Sequence, residues 1–95
     1  MKKYEIMYIL RPEIEEEARK NLISNINNLL TKNGAKVEDV NEWGMRELAY
    51  EIQKVKKGYY VVVKLSSNDS KAVAEFNRVT KLDSQVLRSL VTNIG

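Results

Sequence analysis

Polar and apolar positions alternate at the start of the chain, where Lys3 and Glu5 interleave with Tyr4 and Ile6. Met7, Tyr8, Ile9 and Leu10 are then apolar on both sides, as in a strand central to a sheet. Arg11-Pro12 ends that ladder, because proline has no N–H to donate; Pro12 suits the first turn of a helix, so a helix is predicted to follow at once. Glu13, Glu15, Glu16 and Glu17 crowd its start, where the positive end of the helix macrodipole favours carboxylates. Ile14, Ala18, Leu22, Ile26, Leu29 and Leu30 recur at helical spacing, and Asn33-Gly34 supplies the stop.

Ala35 to Ile52 reads as one long, bent strand. Val37 and Val40 are three apart and cannot share a face of a regular strand, so a bulge is expected between them; Gly44 after Trp43 marks a second kink. Lys54-Val55-Lys56-Lys57-Gly58 is predicted to be the hairpin turn, and Tyr59 to Leu65, rich in valine, a central third strand. Ser66 to Ser70 is read as a loop offering N-caps. Val73, Phe76 and Val79 give a second helix its short stripe, Asp83-Ser84 breaks it, and Val86 to Val91 forms a last strand.

The order strand, helix, strand, strand, helix, strand is the ferredoxin-like βαββαβ plan, an α+β fold in which two helices cover one face of a four-stranded antiparallel sheet. Right-handed crossovers place the first and third strands in the centre. An unpaired lysine does not point into a covered core, so Lys64 puts Tyr60 and Val62 on the open face with it and turns Val61, Val63 and Leu65 inward. Lys3 and Glu5 likewise carry Met7 and Ile9 outward. Met7, Ile9, Tyr60 and Val62 are therefore expected to form an exposed apolar patch, the kind that marks a protein partner. In the last strand Val86, Arg88 and Leu90 compete with Leu87, Ser89 and Val91 for the core side; Leu87 and Val91 are taken as inward and Arg88 as outward.

The 95 residues make one domain, residues 1–95, with 43% hydrophobic and 31% charged positions, the balance of a globular chain. The absence of His and Cys removes the commonest metal ligands, the thiol nucleophile and the neutral-pH acid/base, so no metal and no cofactor are expected. Glu15, Glu16 and Glu17 are explained by the helix start, the serines have no base beside them, and the four glycines are isolated rather than gathered in a phosphate loop. The reading is a binding protein and not an enzyme, with no small-molecule substrate. No apolar run approaches the roughly 20 residues needed to cross a bilayer, so no membrane is expected and the cytoplasm is the simplest placement.

Sixteen Lys and Arg against thirteen Asp and Glu give a net charge of only +3, so contact with a polyanion depends on local clustering. Lys2 and Lys3, Arg46, Arg78, Lys81 and Arg88 are the candidates for phosphate contact, the last four because helix and strand ends could gather them near one edge. An RNA-recognition-motif reading of Lys57-Gly58-Tyr59-Tyr60-Val61-Val62-Val63 fails on phase: it would turn Tyr59, Val61 and Val63 outward and bury Lys64.

Tyr4-Glu5-Ile6-Met7-Tyr8-Ile9-Leu10-Arg11-Pro12, the block Trp43-Gly44-Met45-Arg46-Glu47-Leu48-Ala49-Tyr50-Glu51-Ile52, Gly58-Tyr59-Tyr60, and Val86-Leu87-Arg88-Ser89-Leu90-Val91 together resemble the bacterial small-subunit ribosomal protein six family over nearly the whole chain. The resemblance implies a structural component of the small ribosomal subunit. It would bind the central domain of 16S ribosomal RNA as a heterodimer with ribosomal protein eighteen. It also implies phosphate or partner contacts for Arg46 and Arg88, with Lys2 and Lys3 standing for the family's basic start. Glu47 departs from the family, many of whose members have a second basic or polar residue there. The competing class is a ferredoxin-like regulatory or oligomerisation module without an RNA partner, using the same sheet face.

Overall fold

A computed structural model describes all residues from Met1 to Gly95. The elements run β1 (Lys2–Leu10), α1 (Glu16–Lys32), β2 (Lys36–Ile52), β3 (Val55–Ser67), α2 (Lys71–Leu82) and β4 (Val86–Asn93). All strand pairs are antiparallel and the sheet order is β2-β3-β1-β4, which puts the two most apolar strands in the centre as the crossover rule requires.

The core forms where the helices meet one face of the sheet. Tyr4, Ile6, Tyr8 and Leu10 of β1 and Val61, Val63 and Leu65 of β3 point into it, joined by Ile23, Ile26 and Leu30 of α1 and by Ala72, Val73 and Phe76 of α2. The phase set by Lys3, Glu5 and Lys64 is thus the observed one. Helix α1 lies over β2 and α2 over β4, with the helices touching each other. Phe76 meets the Tyr8 ring at 5.9 Å between centroids, and Tyr8 is fully enclosed with a hydroxyl that finds no hydrogen-bond partner.

Several elements differ from the sequence expectation. Helix α1 begins at Glu16 instead of directly after Pro12, and Arg11 before it is tied to the residues leading into β4, its N–H donating to the Gln85 carbonyl (3.0 Å) and its Nε to that of Ser84 (2.7 Å). Its buried stripe runs through Ile23 and leaves Ala18 exposed. Ser66 and Ser67 belong to β3 and are buried, since β3 continues until it has paired with Lys2 and Lys3.

The predicted breaks in β2 are present, with the pairing register shifting between Val37 and Asp39 and again between Glu42 and Gly44. The first shift lets Val37 and Val40 both pack on the core; Gly44 has φ +87°, a conformation that favours glycine. The hairpin turn is two residues, Gln53 and Lys54, both in the left-handed region, rather than Lys54 to Gly58. A bulge between Ile9 and Leu10 shifts β4, so that Val86 joins the core cluster and Leu87, though buried, stands outside it; Val91 and Arg88 take the sides expected of them.

Candidate nucleic-acid and partner interface

The sheet face away from the helices carries Met7 and Ile9 of β1 beside Tyr60 and Val62 of β3, which the register sets opposite one another. The four are adjacent as expected, but they are not equally open. Met7 and Tyr60 are half-buried, whereas Ile9 is 4% exposed and Val62 8%. Val62 is flanked by Met7 of β1 and Asn41 of β2, and for Ile9 the expected exposure is corrected by the fold of the β2–β3 hairpin. Between Glu47 and Ile52 the register slips again, and β2 bends over the open face. Leu48, Tyr50 and Ile52 thereby enclose, with Met7, Ile9 and Tyr60, a hollow of about 150 Å³. Gly58 allows this closure, because a Cβ there would lie 2.3 Å from Cγ2 of Ile9.

Two arginines hold the tip. Arg88 of β4 donates to the Tyr50 hydroxyl and places its guanidinium 5.5 Å from the centre of that ring; Arg11 donates to Oε1 of Gln53. Nearer the sheet's other edge, Trp43 stacks on Tyr60, with rings within 5° of parallel and centroids 6.2 Å apart, and the Arg46 guanidinium stands 5.4 Å from the indole centre.

The basic candidates do not share one edge. Arg46 is on β2 and Arg88 on β4, the two opposite edge strands, yet both lie at the hairpin end, Arg46 level with Gly58 and Arg88 level with Ile9. Lys2 and Lys3 pair with Ser67 and Ser66 at the far end of β1, roughly 23 Å away at about 3.3 Å per residue. Arg78 and Lys81 are on α2, on the helix-covered side, and the Arg78 fork is already engaged by Glu75 through two hydrogen bonds of 2.8 Å. That pairing holds the Glu75 carboxyl below its ordinary value.

On the helix side, the Tyr59 hydroxyl donates to Oε1 of Glu42 (2.7 Å) under the Arg19 guanidinium, 4.0 Å from the ring. Burial, then the bond to Glu42, push its pKa up. The sequence reading missed Trp43, Leu48, Tyr50 and the 55%-exposed Leu90, which lies beside Met7 on the open face. Leu90 was legible from alternation with Arg88; the hairpin residues were not, because their position depends on a bend. No cluster of acidic side chains suited to a metal ion is present. No helix is long and apolar enough to cross a membrane.

Known proteins match this arrangement throughout. The family model described as ribosomal protein S6 matches residues 3–93. The small ribosomal subunit protein bS6 of Halalkalibacterium halodurans is 50% identical over 92 residues, covering 97% of this chain and 96% of that protein. The crystal structure of 30S ribosomal protein S6 from Thermotoga maritima superposes with a TM-score of 0.92 at 28% identity, covering 98% of this chain and 87% of that one. An Arabidopsis thaliana protein, 15% identical with a TM-score of 0.56 over the whole chain and 94% of its own, shares the fold alone. With nearly every residue matched by the family model and half identical to a relative covered almost end to end, the chain belongs to the ribosomal protein S6 family.

Proposed function

We propose that this chain is a non-catalytic, structural component of the small ribosomal subunit, residing with the ribosome in the cytoplasm. It binds the central domain of 16S ribosomal RNA together with ribosomal protein eighteen. Family membership across residues 3–93 carries the reading. The sheet face supports it: Met7, Tyr60 and Leu90 offer apolar surface to a protein, and Arg46 and Arg88 flank that surface at the hairpin end. Ile9 and Val62 contribute from beneath, as packing that keeps the contact surface in place. A net charge of +3 suits a chain that shares RNA binding with a partner.

The test is a titration of 16S ribosomal RNA with the purified chain and ribosomal protein eighteen at several salt concentrations. Affinity should fall linearly with salt on logarithmic axes, as phosphate contacts release counterions. Association that is absent or indifferent to salt overturns the proposal.

A further inference from the structure

The indole of Trp43 is 44% exposed although it has two neighbours, the parallel Tyr60 ring and the Arg46 guanidinium. A large apolar ring left this open on a folded surface, and held there by neighbours, loses little freedom when something stacks on it. Tyr60, Trp43 and Arg46 together present flat π and guanidinium planes, the two kinds of surface on which unpaired nucleobases stack. Its local backbone serves the same end. The register shift at Glu42/Gly44 and the left-handed Gly44 take Trp43 out of the regular ladder and bring it over Tyr60. Charge on this face is basic: Arg46, opposite Gly58, is exposed and so is Lys56, which shares its face, whereas Glu47 and Lys57 pair with each other on the opposite face.

We infer that Trp43, backed by Tyr60 and flanked by Arg46, is a stacking site for one unpaired RNA base. This rests on the RNA-binding reading above and adds a base contact to its phosphate contacts. The site does not read sequence, since every base has a π-face.

Trp43 is the sole tryptophan, so its emission reports on the site directly. The full chain is titrated at low salt with a ten-residue oligoadenylate and with an abasic oligonucleotide of the same length. Saturable quenching by oligoadenylate alone is expected. Trp43→Leu should lose about tenfold in oligoadenylate affinity, and Trp43→Phe should recover part of it, with the circular dichroism of both variants unchanged. Equal binding of both oligonucleotides without quenching overturns the stacking site while leaving phosphate-based RNA binding in place. Emission that responds to ribosomal protein eighteen and never to RNA also overturns it, assigning Trp43 to the protein interface. If no RNA, 16S ribosomal RNA with the partner included, associates in a salt-sensitive way, the RNA-binding reading fails and the stacking site with it.

Discussion

Arg88 and Tyr50 are hydrogen-bonded although they belong to the two opposite edge strands of the sheet. They meet because the end of β2 leaves its partner after Glu47 and arches over Ile9 toward β4. The open face is consequently half-roofed by its own hairpin, and the roof is held by exposed side chains that a phosphate or a partner could claim.

Removing the Tyr50 hydroxyl should loosen that roof without unfolding the domain. Tyr50→Phe is expected to speed amide exchange at residues 48–52 while the denaturation midpoint shifts by less than about 1 kcal/mol equivalent, as for an exposed hydrogen bond. Unchanged exchange would show that the bond to Arg88 does not hold the tip.

Gly58 is the position where the sheet and its roof come closest. Gly58→Ala puts a methyl against Cγ2 of Ile9, a β-branched side chain with little rotamer freedom, and should cost about 1–3 kcal/mol in urea unfolding. Ile9→Ala should cost less in the Gly58→Ala background than alone, because the two share one contact.

The Tyr8 hydroxyl is buried without a partner, and burial first, then the charge of Glu42, raise its pKa far above the usual tyrosine range. The raised value means that the folded state keeps the proton after the unfolded chain has lost it. The associated stability is complete below about pH 10, the unfolded value, and is lost as pH rises above it. Tyr8→Phe should therefore gain about 1 kcal/mol at neutral pH, by deleting an unsatisfied hydroxyl, and should flatten the alkaline decline in stability. A steeper alkaline decline in the variant would contradict this assignment.

For RNA, Arg46→Ala combined with Arg88→Ala should weaken binding to 16S ribosomal RNA and reduce the salt slope by about one per lost phosphate contact. Arg78→Ala is expected to change the slope less, since that fork is occupied by Glu75 on the helix side. The reverse ranking, read from the same titrations, would move the RNA to the helices.

For the protein partner, Tyr60→Asp should weaken pairing with ribosomal protein eighteen by at least tenfold in a sedimentation assay while leaving the fold intact. Val62→Asp is a poorer probe, because a carboxylate at an 8%-exposed position also destabilises the chain.

Much of this architecture is legible in the residues because local rules and burial agree there. One lysine, Lys64, phased β3, and the spacing of Val37 and Val40 located a bulge. The failures have a common cause. Gln53 and Lys54 adopt left-handed conformations that neither residue advertises, and the arch beyond Glu47 is fixed by Arg11 and Arg88, which are distant in sequence. Alternation gave the direction of Ile9 and Val62 correctly but could not report that the hairpin closes over Ile9. It likewise gave Leu87 an inward place that the bulge between Ile9 and Leu10 handed to Val86. The basic residues were legible as a list and not as a site, since charge carries no periodicity to say which face it shares.

The three register breaks in β2 have a consequence beyond the placement of side chains. An edge strand recruits a second chain most readily when it offers an unbroken run of free N–H and C=O groups. The outer edge of β2 is interrupted at Val37/Asp39, Glu42/Gly44 and Glu47/Ile52 and studded with Glu38, Asp39, Glu42, Arg46, Glu47 and Glu51. The longest exposed edge of the molecule is therefore a poor template for fibril growth, and the irregularities that place Trp43 and Tyr50 also break up that edge.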